Sequence, residues 1–304
     1  MKLRALAPGK VNLCLFLGGT RADGRHELVT LFQPVSLADE VSLETVGASG
    51  ADAVLCPGVE GPNIVERALA ELRARGWDGP RVRIEITKHI PVAAGMAGGS
   101  ADAAATLRLA EALSPLPSAG LAAEIARVLG ADVPSQLAPG PALGTGAGEI
   151  ITPAPPRARF AAVILPSPSS LSTAAVFAEA DRLGLARSAA ELEDRRRALE
   201  AALRLGPELP AELLVNELEP AARSLCPSID GALSEALDLG AEVALVCGSG
   251  PTVAGIFWGA DAPARAQGAA AVAALRFPAA VAVVPVDAGF AVVRDATRQP
   301  RPAQ

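Results

Sequence analysis

Residues 91–110, PVAAGMAGGSADAAATLRLA, limit what this chain can fold into more than any other stretch, because a glycine-rich loop runs straight into a helix. Gly95, Gly98 and Gly99 permit left-handed and crowded backbone angles and let another molecule approach the main chain. Ser100 stands where a helix cap is expected, and Asp102 falls in the first turn, where a carboxylate suits the helix dipole. Ala103, Leu107 and Ala110 then recur on one face of a run of strong helix formers. Free N–H groups at the positive end of a helix make an anion site, and phosphate is the usual anion. The same residues also fit a tight loop before an ordinary core helix. The loop has no Lys-Ser/Thr ending of the Walker A kind and no G-x-G-x-x-G, so neither of those phosphate sites applies.

Composition narrows the partners. With 304 residues, 50% hydrophobic and 20% charged, the chain suits one large or two small globular domains with a real core. A net charge of -6 offers no electrostatic attraction for nucleic acid or an anionic membrane. No apolar run reaches the roughly 18 residues of a membrane helix, and MKLRALAPGK lacks the apolar core of a signal peptide. Cys14, Cys56, Cys226 and Cys247 are widely spaced, which predicts buried reduced thiols in a cytoplasmic protein. Only His26 and His89 are present, so a multi-histidine metal site is excluded, and no G-x-S-x-G elbow appears.

Lys10 to Leu17 alternates as a strand, with Val11, Leu13, Leu15 and Leu17 on one face and Lys10, Asn12, Cys14 and Phe16 on the other. Two polar groups on so apolar a strand are costly to bury without purpose, although a frayed strand end in water would also hold them. One or two strands are predicted over residues 28–46, a helix over 63–75 and a strand over 81–87. Ser118 is expected to cap a helix ending at Leu129, and Pro134 to hold Val133 extended, with Asp132 in a bend. The Gly/Pro-rich stretch 139–156 marks a domain boundary, giving domains 1–153 and 154–294 and a disordered tail over 295–304. Beyond the boundary, helices are expected near 173–183, 189–205, 212–225, 229–239 and 263–275, and strands near 160–165, 242–247, 253–258 and 280–286. Strands and helices interleave without strict alternation, which favours an α+β fold.

Three segments together resemble the GHMP kinase superfamily, which contains galactokinase, homoserine kinase, mevalonate kinase and phosphomevalonate kinase. They are P-G-K-V-N-L at 8–13, the loop P-x-x-x-G-x-x-G-G-S-A at 91–101, and C-G-S-G-P-T at 247–252. Further pieces are D-G-x-H-E-L at 23–28, T-L-F-Q at 30–33, L-G-A-D-V-P at 129–134 and G-x-G-x-G-E at 144–149. These are similar to the subfamily that phosphorylates a cytidine diphosphate-linked methylerythritol on the non-mevalonate route to isoprenoids. The resemblance covers nearly the whole chain. It implies a two-domain α+β fold, with an N-terminal domain like ribosomal protein S5 domain 2 and a ferredoxin-like C-terminal domain. It also implies ATP with nucleotide-borne Mg²⁺, small-molecule partners, and a monomer or weak homodimer.

By the same resemblance, Lys10 and Asp132 are the catalytic positions, Asp132 as base and Lys10 as its cationic neighbour. Such transfer is mainly positioning and electrostatics. Pro91, Val92, Ala93, Ala94, Gly95, Met96, Ala97, Gly98, Gly99, Ser100 and Ala101 match the nucleotide's phosphate loop, and Asn63 and Lys88 match positions near adenine. Read without the resemblance, Asn63 is a helix cap and Lys88 a strand-end lysine. Asn12, His26, Thr173 and Phe177 match residues about the acceptor and its base. The chain departs from the family where Arg25 replaces tyrosine, Ser135 replaces an apolar residue, and G-M-A-G-G-S-A-D replaces G-L-G-G-G-S-S-N. The Arg25 guanidinium changes one wall around the base, yet a guanidinium plane can stack on a base or pair with diphosphate. Other acceptors of the superfamily, such as homoserine, a mevalonate-type alcohol or a sugar, therefore stay open, as does a silent nucleotide-binding scaffold.

Overall fold

The computed structural model describes residues 1–47 and 50–296. The N-terminal half contains β1 (Lys2–Thr20), β2 (His26–Thr45), β3 (Ala53–Leu55), α1 (Ile64–Ala74), β4 (Val82–Thr87) and α2 (Gly98–Leu113). It continues with α3 (Leu121–Leu129), α4 (Val133–Leu137), β5 (Ala142–Thr145) and β6 (Ile150–Pro153). The second half runs β7 (Phe160–Leu165), α5 (Thr173–Leu183), α6 (Ala189–Leu205), α7 (Glu219–Leu225) and α8 (Ser228–Asp238). Then come β8 (Val243–Val246), β9 (Val253–Trp258), α9 (Ala262–Ala273), β10 (Val281–Val283) and β11 (Arg294–Asp295).

Among the described residues the strands form two sheets. One is ordered β11-β1-β2-β4-β3 with β5 and β6 attached through β2, and the other is ordered β10-β7-β9-β8. Apart from the parallel β3–β4 pair, every strand pairing is antiparallel. Helices α1 to α4 cover the first sheet, around Leu43, Leu72, Trp77, Ile84, Ile86 and Leu107. A second apolar cluster, with Val11, Leu13, Phe16, Ile90, Phe160 and Ile164, joins the two sheets and α6. A third buries Val163, Val176, Ile229, Phe257 and Ala266 between the second sheet and its helices.

Local chemistry explains most element ends. Asn63 caps α1 in a reciprocal box with Glu66, Ser188 does the same for α6 with Glu191, and Gly184 closes α5 in a left-handed conformation. Several expectations need correction. Ser118 does not cap α3; Gly120 does, with φ 88°. Val133 is helical, because Pro134 sits in the first turn of α4, where its missing N–H costs nothing. The helix predicted over 212–225 is interrupted: a 3-10 turn at Ala211–Leu213 precedes α7, and residues 215–217 lie alongside β1. There Leu15 N–H donates to Val215 O at 2.8 Å, and Glu217 N–H donates to Leu15 O at 2.9 Å. Of the tail expected over 295–304, Asp295 instead pairs with Leu3 in β11; residues 297–304 lie outside the described residues.

The simple alternation predicted for β1 also fails, for a reason that matters to the site. The β1–β2 register slips between Pro8 and Lys10 and again between Asn12 and Cys14. The first slip leaves two extra residues in β2, and the second adds one residue, Leu13, to β1, which re-aims the side chains after it. Val11 and Leu13 therefore share a cluster with Cys14 and Phe16, while Leu15 and Leu17 join the other core.

Candidate active site

The loop from β4 into α2 rests on a buried charge cluster. Asp39, fully buried on β2, accepts from the N–H of His89 at 2.6 Å and of Ile90 at 2.8 Å, and it also binds the Lys88 ammonium. Lys88 Nζ donates to Asp102 Oδ2 at 2.7 Å. Burial alone would lower the Lys88 pKa, but the Asp102 and Asp39 carboxylates more than offset it and leave it raised. Burial pushes Asp102 up to about 7 despite the Lys88 charge, and its Oδ1 has no hydrogen-bond partner. Asp102 is thus no solvated first-turn carboxylate; it is a foundation of the loop. Ser100 is not the cap either: α2 starts at Gly98 after Ala97, whose φ of 57° is left-handed.

The first helical bond of α2 runs from Ala101 N–H to Ala97 O at 2.9 Å. The N–H groups of Gly98, Gly99 and Ser100 precede it and have no helical acceptor. They border a cavity of about 580 Å³ that is lined throughout residues 91–100. Gly95, with φ 74°, lies directly under the second glycine loop, and a Cβ there would fall 1.8 Å from Cys247 O. No side chain fits between the two backbones.

Lys10 lies on the floor of this cavity, buried, with Nζ donating to Asn12 Oδ1 at 2.8 Å and to Gly95 O at 2.9 Å. The Asn12 amide donates onward to Thr30 Oγ1 at 2.7 Å, and the Thr30 hydroxyl donates to Cys14 O at 2.7 Å. The first two acceptors of the ammonium are neutral, so its countercharge is Asp132, whose Oδ2 is 3.9 Å away. Asp132 precedes α4 without spending its side chain on a cap, and that side chain is 36% exposed. A cation and an open carboxylate thus face one another beside a loop rich in N–H groups. This arrangement suits proton removal from a hydroxyl next to an anionic group in transfer.

Across the cavity, Thr173 Oγ1 meets Ser249 Oγ at 3.1 Å, and Phe177 stacks on His26 with ring centres 4.9 Å apart and planes at 28°. His26 is buried behind Phe177, with Nε2 2.7 Å from Asp181 Oδ1. Asn63 lines the cavity and caps α1. Arg25 is turned to Asp23, with Nε at 3.0 Å and Nη2 at 2.9 Å, and lies 3.7 Å from Glu149. Lys10, Asn12, Asn63, Lys88, Pro91 to Ser100, Asp132, Thr173 and Phe177 therefore come together around one cavity. Arg25, His26 and Ala101 do not line it. Cys56 lines it and is only half-buried, unlike the other three thiols.

The family described as GHMP kinases N terminal domain matches residues 63–140, and GHMP kinases C terminal matches residues 186–274. A 4-diphosphocytidyl-2-C-methyl-D-erythritol kinase of Mycolicibacterium gilvum is 46% identical over 260 residues, covering 81% of this chain and 79% of that one. The enzyme of that name from Saccharopolyspora erythraea is 41% identical and covers 98% of this chain and 96% of its own. The chain belongs to the 4-diphosphocytidyl-2-C-methyl-D-erythritol kinase family of GHMP kinases. A crystal structure titled 4-(cytidine 5'-diphospho)-2C-methyl-D-erythritol kinase superposes with a TM-score of 0.73 at 32% identity, over 93% of this chain and 98% of that one. A homoserine kinase from Cytophaga hutchinsonii, at 20% identity and a TM-score of 0.59, shares the fold. The two-domain α+β fold of the GHMP kinases is therefore the fold of this protein.

In this GHMP kinase, Asp39 escapes a reading by motif, and Thr30 and Phe32 fall within T-L-F-Q at 30–33 without a role assigned to either. Asp39 is 49 residues from Lys88, and only the β2–β4 pairing brings them together. Phe32 lies across from Asn12 and Thr30 across from Leu15, on the two sides of the bulge at Leu13, which no local pattern reveals. The Phe32 ring centre is 5.8 Å from Lys10 Nζ, a second support for the ammonium. A lone polar residue inside the apolar run Leu28 to Phe32 is the local trace of Thr30.

Proposed function

We propose that the protein transfers the γ-phosphoryl group of ATP to the 2-hydroxyl of 4-diphosphocytidyl-2-C-methyl-D-erythritol, on the non-mevalonate route to isoprenoid precursors. The observation that carries this reading is the buried Lys10 ammonium facing the open Asp132 carboxylate at 3.9 Å, beside the phosphate loop. Asp132 takes the proton as the acceptor oxygen bonds to phosphorus, while the bond from phosphorus to the bridging oxygen breaks and ADP leaves with its electron pair. Lys10 offsets negative charge on the group in flight, and the N–H groups of Gly98, Gly99 and Ser100 hold the nucleotide's phosphates. Coulomb attraction across 3.9 Å is about 4 kcal/mol at an effective dielectric of about 20, and less on the wet side of Asp132. That is enough to hold the two groups in register.

Residues 1–153 serve in this reading as the nucleotide domain and residues 154–294 as the partner domain. The acceptor lies against Asn12, Thr173 and Phe177, with its base beside Phe177, which His26 backs from behind, and with Arg25 outside the cavity. Among the described residues no group of three or more His, Cys, Asp or Glu could hold a metal ion. The cavity offers hard oxygens from Ser100 and Asp132, which fits a Mg²⁺ carried by the nucleotide and held by Ser100. When bound, that ion neutralises phosphate charge. Among the described residues no helix is long and apolar enough to cross a membrane, in keeping with a cytoplasmic enzyme of small molecules.

The test is acceptor-dependent ADP formation from ATP and Mg²⁺, compared with Asp132→Ala and Lys10→Ala. Turnover on this acceptor, lost by about 10²-fold or more in each variant, is the expected result. Turnover only on homoserine, a mevalonate-type alcohol or a sugar would overturn the acceptor. Bound ATP without turnover on any alcohol would leave a silent scaffold.

A further inference from the structure

Asn216 lies outside the three glycine motifs and does not line the cavity, yet its amide is fully committed at the cavity's edge. It is 5% exposed. Its Nδ2 donates to Val246 O and to Gly248 O, both at 2.7 Å, and its Oδ1 accepts from Leu218 N–H at 2.9 Å. Both amide protons and the carbonyl oxygen are thus used. Its own backbone is bridged to Leu15 of β1, three residues from Asn12 and five from Lys10 along a strand that cannot move freely within its sheet.

The loop that Asn216 grips abuts the proposed reacting centre. Gly248 adopts φ 53°, and a Cβ there would lie 3.1 Å from Lys10 Nζ and 2.9 Å from Gly95 O. Gly95 O is itself an acceptor for the Lys10 ammonium. Cys247 O presses on Gly95 from the same side. Asn216 therefore fixes both carbonyl-bearing residues flanking Cys247, and through them the wall that keeps Lys10 desolvated and aimed.

We propose that Asn216 is a positioning residue for phosphoryl transfer, holding the 246–248 loop so that Gly248 and Gly95 confine the Lys10 ammonium beside Asp132. The proposal rests on the reading of Lys10 and Asp132 as the reacting pair. Asn216→Asp keeps the shape and the acceptor for Leu218 but turns a carboxylate toward two carbonyl oxygens. Asn216→Ala removes the amide and leaves both carbonyls unpaired.

Two measurements on the full chain test this, at a temperature where circular dichroism finds each variant folded. In steady-state kinetics, kcat is expected to fall by about 10²-fold in Asn216→Asp and about tenfold in Asn216→Ala, with KM for ATP within about threefold. A loss confined to KM, or a kcat unchanged in both variants, would overturn the proposal. The second measurement needs no turnover. The chain has three lysines, Lys2, Lys10 and Lys88, so reductive methylation read by mass spectrometry reports each separately. Asn216→Asp is expected to raise labelling of Lys10 by about tenfold, leaving Lys88 and Lys2 unchanged, because only the Lys10 wall is released. Equal labelling of Lys10 in wild type and variant refutes the proposal, as does a parallel rise at Lys88, which marks general loosening. A wild type inactive on the cytidine acceptor would sink the functional reading and leave this labelling outcome standing on its own.

Discussion

Replacing Asp102 by asparagine should make the protein more stable at alkaline pH and leave it unchanged in acid. Asp102 is buried under the phosphate loop, binds Lys88 through one oxygen and leaves the other without a partner. Burial is the largest influence on it and raises its pKa from 3.8 to about 7, against the pull of Lys88. The folded protein therefore holds a proton there that the unfolded chain gives up near pH 4. Between those two values the native state binds more protons than the unfolded state, so this group's contribution to stability falls as pH rises, and it levels off above about 7. At about 1.4 kcal/mol per tenfold change, the full span corresponds to about 4 kcal/mol. Asparagine has the shape of the protonated acid and keeps an acceptor for Lys88. Asp102→Asn should match wild type near pH 4 and exceed it by about 2–4 kcal/mol at pH 8, with the gap opening between pH 4 and 7. Urea unfolding of both proteins at half-unit pH intervals measures that gap directly. A gap that is constant with pH, or one that favours wild type at pH 8, refutes the burial argument.

Two other substitutions probe the loop itself. Gly95→Ala drives a methyl group to 1.8 Å from Cys247 O at φ 74°, so ATP affinity measured by calorimetry should be abolished and Tm should drop sharply; near-normal affinity would contradict the contact. Ala97→Gly relieves a left-handed alanine at φ 57° and should raise stability by about 0.5–1 kcal/mol in urea, whereas a loss would mean that the strain is compensated elsewhere.

Much of this architecture is readable from the residues alone. The strand over 160–165 and the helices over 173–183 and 189–205 fall where expected, and the structure adds Ser172 and Ser188 as the helix caps. The glycine loop into α2 is equally visible, since left-handed angles and close backbone approach leave a compositional trace. What sequence conceals is whatever depends on a distant partner. The bulge at Leu13 is a mismatch between two strands, and no property of residues 10–17 taken alone reveals it. Ser100 looks like a cap and Asp102 like a dipole partner because local chemistry favours both roles. The Lys88–Asp39 pair instead turns Asp102 inward, and Ala97 takes the cap position. Val133 becomes helical for a similar reason: α4 packs on α2 and α3, and tertiary packing outweighs the extended preference of a residue before proline. Asn216 sits inside what reads as one helix, and its value lies in carbonyls thirty residues onward.

The meeting of Gly95 with Cys247 bears on how members of this family can be recombined. The join between residues 153 and 154 looks like a free place to splice one relative's first half onto another's second half. Yet the two halves touch through main chain on both sides, with no side chain to absorb a misfit of even a few tenths of an ångström. A hybrid cut there inherits a lock from one parent and a key from the other. The productive crossover is one that carries residues 247–250 along with the first half, so that both faces of the contact descend from the same ancestor.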